Sequence, residues 1–141
     1  MDGWESTTLA LLQVANLLVR RIGPLFRKAE ITPQQWALLS VIATLEEPPT
    51  LVGVAREMKV TKQNMTGMIA RLEALGLVER TADASDLRAS RLALTRRGRQ
   101  LYDRIAPAYT AWVEETFGGL PSSEQKSIQR AITRLLDALQ E

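Results

Sequence analysis

Apolar side chains recur at Leu9, Leu12, Ala15, Leu18, Ile22 and Leu25, three and four positions apart, which predicts one stripe of a long amphipathic helix over residues 5–28. Gly23-Pro24 is expected to kink that helix or end it. The run ITPQQWALLSVIATLEE then offers Thr32 as an N-cap, Pro33 at the first helical position and Gln35 to complete a capping box. The helix that follows is dense in Trp, Leu, Ile and Val, as expected of a mostly buried element, and Pro48-Pro49 stops it. A short helix begins near Leu51. Thr61 caps another running to Leu75, with Val60 and Met65 placed as a hydrophobic staple across the cap. Gly76 supplies a left-handed stop, and Leu77 is expected to fold back on Leu72.

The period then changes. LVERT and SRLALT alternate apolar and polar residues, predicting strands at Leu77–Thr81 and about Ser90–Thr95 with a polar loop between them. Thr95 caps a further helix, roughly Arg96–Phe117, whose Leu101, Ile105, Ala108 and Trp112 keep helical spacing, with a bend expected at Pro107. GGLPSS breaks the chain, Ser122 and Gln125 are expected to form a capping box, and Ile128, Ile132, Leu135, Leu136 and Leu139 form one face of a last helix.

Two helices joined by a tight turn and followed by a β-hairpin make a winged helix. The expected fold is therefore mainly α with a small β-hairpin wing: a winged helix-turn-helix over 31–99, flanked by dimerisation helices over 1–30 and 100–141. The outer helices carry apolar stripes that a complete winged helix does not need. Packing on each other and on a second copy is the economical way to cover them, and a dimer also enlarges the core of a small chain. Packing into one larger helical domain is the alternative.

Composition narrows the chemistry. With no cysteine and no histidine in 141 residues, disulfides, thiol redox sensing and cysteine-based zinc sites are excluded, and the commonest acid–base catalyst and metal ligand is missing. No metal, cofactor or catalytic constellation is expected, and an enzyme is disfavoured. No unbroken apolar run approaches the ~20 residues of a membrane span, and Met1–Ser6 is too polar to open a signal peptide, so a cytoplasmic chain is expected. The net charge of +2 hides an uneven distribution. Residues 51–104 hold 11 Lys and Arg against 6 Asp and Glu, while both flanking segments are slightly acidic. Such a basic middle third suits an anionic polymer or a solvated surface equally.

The Thr61–Leu75 helix resolves that choice. With Met65, Met68, Ile69, Leu72 and Leu75 turned inward, Gln63, Thr66, Gly67 and Ala70 face outward, flanked by Lys62 and Arg71. Gln bonds adenine in two places, Thr contacts a thymine methyl or a phosphate, and Lys pairs with phosphate, so double-stranded DNA is the expected partner. Thr61, Lys62, Gln63, Asn64, Thr66, Gly67 and Arg71 are the candidate recognition residues. In the hairpin, Asp86, Arg88 and Arg91 are the candidate wing residues. Arg88 suits a narrow minor groove, and Asp86 would hold its guanidinium in place. The competing reading of that pair is an exposed loop ion pair worth ~0–1 kcal/mol.

The stretch VTKQNMTGMIARLEALGLVERTADASDLRASRLALTRRG closely resembles the winged-helix segment of the MarR (multiple antibiotic resistance regulator) family. Its wing pattern, close to D-x-R-D-x-R and followed by L-T-x-x-G, is matched here by Asp83, Asp86, Arg88, Leu94, Thr95 and Gly98. Ser85, Leu87 and Gly67 depart from the family's usual arginine, polar and longer side chains. The resemblance implies a homodimer that binds pseudopalindromic operators, usually as a repressor released by a small aromatic or phenolic effector. Candidate effector-pocket residues are Trp36, Tyr109 and Trp112, with Arg20 or Arg21 for an anionic group. A winged helix that contacts another protein, without operator binding, is the other class considered. Steep weakening of DNA binding by salt separates the two.

Overall fold

The computed structural model describes residues 2–82 and 90–140. Six helices and one hairpin follow in the order α1 (Gly3–Arg27), α2 (Pro33–Thr44), α3 (Leu51–Met58), α4 (Lys62–Ala74), β1 (Val78–Ala82), β2 (Ser90–Leu94), α5 (Arg96–Phe117) and α6 (Ser122–Leu139). This is the winged-helix order that the pattern predicts, and α5 begins and ends at the expected residues.

Local side-chain chemistry starts most helices. Thr32 Oγ1 accepts from the Gln35 amide at 3.1 Å while Gln35 Oε1 accepts from the Thr32 amide at 2.9 Å, the expected reciprocal box. Thr50 caps α3 through the Gly53 amide, and Thr61 caps α4 through the Asn64 amide at 3.1 Å. At the end of α4 the Leu77 amide donates to Leu72 O at 3.0 Å, and Gly76 takes φ 74°, where a Cβ would be strained.

Pro24 lies in the last turn of α1, which ends at Arg27, near the expected point, while two other expectations are corrected. Ile22 and Phe26, one turn apart around the proline, are both buried and hold the helix through it. The Ser122–Gln125 box does not form, because Pro121 occupies the cap and Ser122 is already the first residue of α6; the Gln125 amide donates instead to Pro121 O at 3.0 Å. Finally, α1 is apolar enough for a membrane span by length and mean hydropathy (1.3), although no unbroken apolar run marks it in the sequence.

One contiguous core joins Ile22 and Phe26 of α1, Trp36, Leu38, Leu39 and Ile42 of α2, Val54 of α3, Met65, Ile69 and Leu72 of α4, Leu92 of β2, and Leu101 and Ile105 of α5. The hairpin pairs antiparallel from Val78 opposite Leu94 to Ala82 opposite Ser90. Its β2 edge is also engaged: Thr50 bridges Arg91, and the Leu92 amide donates to Pro49 O at 2.8 Å. The segment before α3 therefore seals the outer side of the hairpin.

The L-T-x-x-G sequence acts as a clasp at the base of the wing. Thr95 Oγ1 accepts from the Gly98 amide at 3.0 Å, capping α5, and donates to Gly76 O at 2.6 Å. The Thr95 amide donates to Leu77 O at 3.1 Å. Gly98 is buried against the same turn, where a Cβ would run into the Leu77 carbonyl oxygen, with the carbonyl carbon only 3.0 Å away. One threonine and one glycine thus tie the end of α4 to the start of α5.

The outer helices are covered least. No residue of α6 is buried, and α1 buries only Ile22 and Phe26. Trp4 is 82% exposed and Leu139 79%, with Leu12, Leu17, Ile128, Leu135 and Leu136 also open.

Candidate functional site

The inward and outward faces of α4 separate as the spacing predicts. Met65, Ile69 and Leu72 are fully buried, and Met68 and Leu75 are half-buried. Thr61, Lys62, Gln63, Asn64, Thr66, Gly67, Ala70 and Arg71 are all exposed. Because a helix turns about 100° per residue, burial of the 65–69–72 stripe fixes this polar face outward. Thr66 Oγ1 donates to Lys62 O at 2.9 Å, so its methyl and oxygen lone pairs remain for contact. A Cβ on Gly67 would meet nothing within 4 Å. Among the described residues no neighbour requires a glycine there, and the gap lies on the outward face. Neither Lys62 nor Arg71 has an ion pair among those formed by the described residues.

At the wing, Asp86 and Arg88 lie outside the described residues, as do Asp83, Ser85 and Leu87. Arg91 is placed on β2 opposite Thr81, and its Nη1 donates to Pro48 O at 2.9 Å. That bond, 43 residues apart in sequence, ties the hairpin to the loop before α3. Arg80 on β1 is held by Glu73 of α4, Nε to Oε1 at 3.1 Å. Thr50 and Pro48 were not among the sequence candidates, since no local pattern marks a strand partner so far away. Lys59 was also missed. It closes α3 in a left-handed conformation, φ 60°, and lies 3.7 Å from Asp137, setting the end of α6 beside the helix-turn-helix.

The candidate effector residues divide. Trp36 stacks on Phe26 (centroids 5.6 Å, planes 25° apart) and on Tyr102 (5.1 Å, 13°), while Tyr109 tilts against it at 5.4 Å. Trp112 continues the array from Tyr109 at 6.4 Å. Trp36, Tyr109 and Trp112 line one cavity of about 330 Å³ with Phe26, Phe117 and aliphatic residues of α1, α2 and α5. Arg21 lines a neighbouring cavity of about 490 Å³ with Trp112 and Glu115, and Arg20 lies on the exposed face of α1, lining neither. Three of the five come together and the two arginines stand apart, because α1 turns positions 20 and 21 away from Trp36.

A sequence model of the MarR family matches residues 29–89. The chain is 31% identical over 140 residues to the HTH-type transcriptional regulator FarR of Neisseria gonorrhoeae, covering 95% of this chain and 93% of that one. It is 28% identical over 135 residues to the homoprotocatechuate degradative operon repressor of Escherichia coli, covering 94% and 86%. Among solved structures, a Staphylococcus aureus MepR–DNA complex superposes with a TM-score of 0.82 at 19% identity, covering 95% of this chain and 98% of that one. CouR of Rhodococcus jostii bound to p-coumaroyl-CoA superposes with a TM-score of 0.82 at 23% identity, covering 92% and 91%. At these identities the structural likeness speaks for the fold. The two relatives are regulators of transcription, not enzymes.

Proposed function

The chain belongs to the MarR family of transcriptional regulators, and from that premise we propose that it is a dimeric, sequence-specific DNA-binding repressor whose operator is pseudopalindromic. The observation that carries this reading is the exposed polar face of α4 above its buried Met65–Ile69–Leu72 stripe. Gln63 and Asn64 are the base-reading residues, Thr66 contacts a thymine methyl or phosphate, and Thr61, Lys62 and Arg71 contact phosphate. Arg88 is the minor-groove probe of the wing, with Asp86 as its support and Arg91 bracing the strand behind it.

The lobe is residues 31–99, and residues 1–30 and 100–141 form the dimerisation region. The chain exposes 10385 Å², whereas a compact monomer of 15.7 kDa exposes only about 7,300 Å². A second copy packed on α1 and α6 accounts for that excess and for the apolar run of α1 without a membrane, in keeping with a cytoplasmic protein. Half-sites then lie about one helical turn apart, ~34–36 Å. A small aromatic effector in the Trp36 cavity shifts the spacing of the two lobes and releases DNA, through a difference in its affinity for the two arrangements. CouR, solved with p-coumaroyl-CoA, supports an effector role for this fold.

Footprinting on DNA flanking its own gene tests the reading. Two protected half-sites one turn apart, lost steeply as salt rises and lost in Arg88→Ala at unchanged dimer content, are expected. Absence of protection at low salt refutes it.

A further inference from the structure

Another cavity, of about 280 Å³, opens where the end of α1 meets the first half of α5. Its wall includes Lys28, Glu30, Arg97, Gln100, Leu101 and Arg104, and holds no aromatic side chain. It shares no residue with the Trp36 cavity. A helix turns about 100° per residue, so Arg97 and Arg104 lie roughly 140–160° around α5 from Tyr102, which stacks on Trp36. The two cavities therefore flank different sides of that helix.

Arg97, Gln100, Leu101 and Arg104 are three and four positions apart and form one stripe of α5. Leu101 is buried and anchors the stripe, while Arg97, Gln100 and Arg104 stay exposed. Lys28, the C-cap residue of α1, contributes from the other wall. Among the described residues Lys28, Arg97 and Arg104 form no ion pair, and Glu30, the acid of this wall, pairs with none of them. Three cations against one acid leave the wall at +2. The helix itself opposes this placement. Arg96 and Arg97 open α5 with no acid in its first turn, whereas the positive end of a helix dipole favours carboxylates. Like charges gathered there without an internal partner cost stability, and a bound anion relieves that cost.

We propose that this cavity binds a small, non-aromatic dianion whose two acidic groups, carboxylate or phosphate, are taken by Arg97 and Arg104, with Lys28 adding charge from α1. A guanidinium fork matches either group through two parallel hydrogen bonds. Seven residues separate the two Cα atoms by about 10.5 Å along the axis, a gap that two long side chains close to the span of a short carbon chain. Gln100, between them, offers both a donor and an acceptor to a hydroxyl on that chain.

Calorimetry on the full chain at fixed ionic strength tests the site with three probes: glutarate, 3-phosphoglycerate and the monoanion butyrate. At least one dianion is expected to bind about tenfold tighter than butyrate, the gain from a second charge-assisted contact. The tighter of the two shows whether a phosphate or a second carboxylate is preferred. Arg97→Gln and Arg104→Gln should each cost the dianion about tenfold and leave it close to butyrate, with circular dichroism unchanged. Arg56→Gln removes the same charge from the exposed surface of α3 and should leave binding as it was. Dianions that bind no tighter than butyrate overturn the inference, as does an equal loss in Arg56→Gln, which would mark a diffuse effect of net charge. A fall in operator affinity in Arg97→Gln and Arg104→Gln without any dianion binding assigns these cations to DNA phosphates and also overturns it. None of these results touches the Trp36 cavity or the polar face of α4, which the footprint tests separately.

Discussion

Replacing Thr95 by alanine removes two bonds at once. The Oγ1 acceptor at 3.0 Å from the Gly98 amide is the N-cap of α5, and loss of such a cap costs about 1 kcal/mol. The same hydroxyl donates to Gly76 O at 2.6 Å, and that carbonyl sits in a half-buried turn. Leaving it short of a donor costs about 1 kcal/mol more, the low end of the range for a buried unpaired group. The expected loss is about 2 kcal/mol, or roughly 8 °C in Tm for a chain of this size. Thr95→Ser keeps both bonds and is expected to stay within about 0.5 kcal/mol of the parent, whereas Thr95→Val keeps the shape and fails like alanine. Urea unfolding followed by circular dichroism, at one fixed protein concentration so that the proposed dimer contributes equally to each, gives the three values. The reasoning fails if Thr95→Ala stays within about 0.5 kcal/mol of the parent, or if serine is as damaging as alanine.

Two glycines of the same lobe are expected to respond oppositely. Gly98→Ala drives a Cβ into the Leu77 carbonyl and lowers stability by about 2 kcal/mol or more, visible in the same urea titration. Gly67→Ala, in open space inside a helix, raises stability by up to about 1 kcal/mol; a loss of operator affinity in that variant, measured by gel shift, marks the gap as a DNA contact. Gln63→Ala should weaken operator binding by about 1–3 kcal/mol and relax preference at one base position, seen in a panel of substituted operators. Leu136→Glu on the uncovered face of α6 should shift the protein toward monomer in light scattering, since the symmetry of the proposed dimer would place the charge in its interface twice.

Helix starts were legible at three of the threonine caps, whereas the caps at Asp2 and Thr50, made by the same local bonding, escaped. Thr32, Thr61 and Thr95 each act within three residues, so their spacing alone declares the cap. The faces of α4 were legible for a similar reason, because 3.6-residue periodicity ties the burial of Met65, Ile69 and Leu72 to the exposure of Gln63, Thr66 and Gly67. Most of what else escaped depends on distant partners. Ser122 has the composition of a cap, but Pro121 displaces it by one position. The Arg91–Pro48 and Lys59–Asp137 links join residues dozens of positions apart and leave no periodic trace. The aromatic array draws on α1, α2 and α5, and the exclusion of Arg20 and Arg21 from its cavity depends on the rotation of α1 against Trp36.

The sealed outer edge of the hairpin has an evolutionary consequence. Thr50 and Pro49 bond the β2 backbone, β1 pairs with its other side, and Thr95 clamps the base, so the two strands are anchored by bonds made among the described residues. The joining segment can therefore exchange sequence, and even length, at little cost to the core. On the proposed reading, chimaeras carrying a relative's wing loop between Ala82 and Ser90 should fold and take on part of the donor's DNA preference.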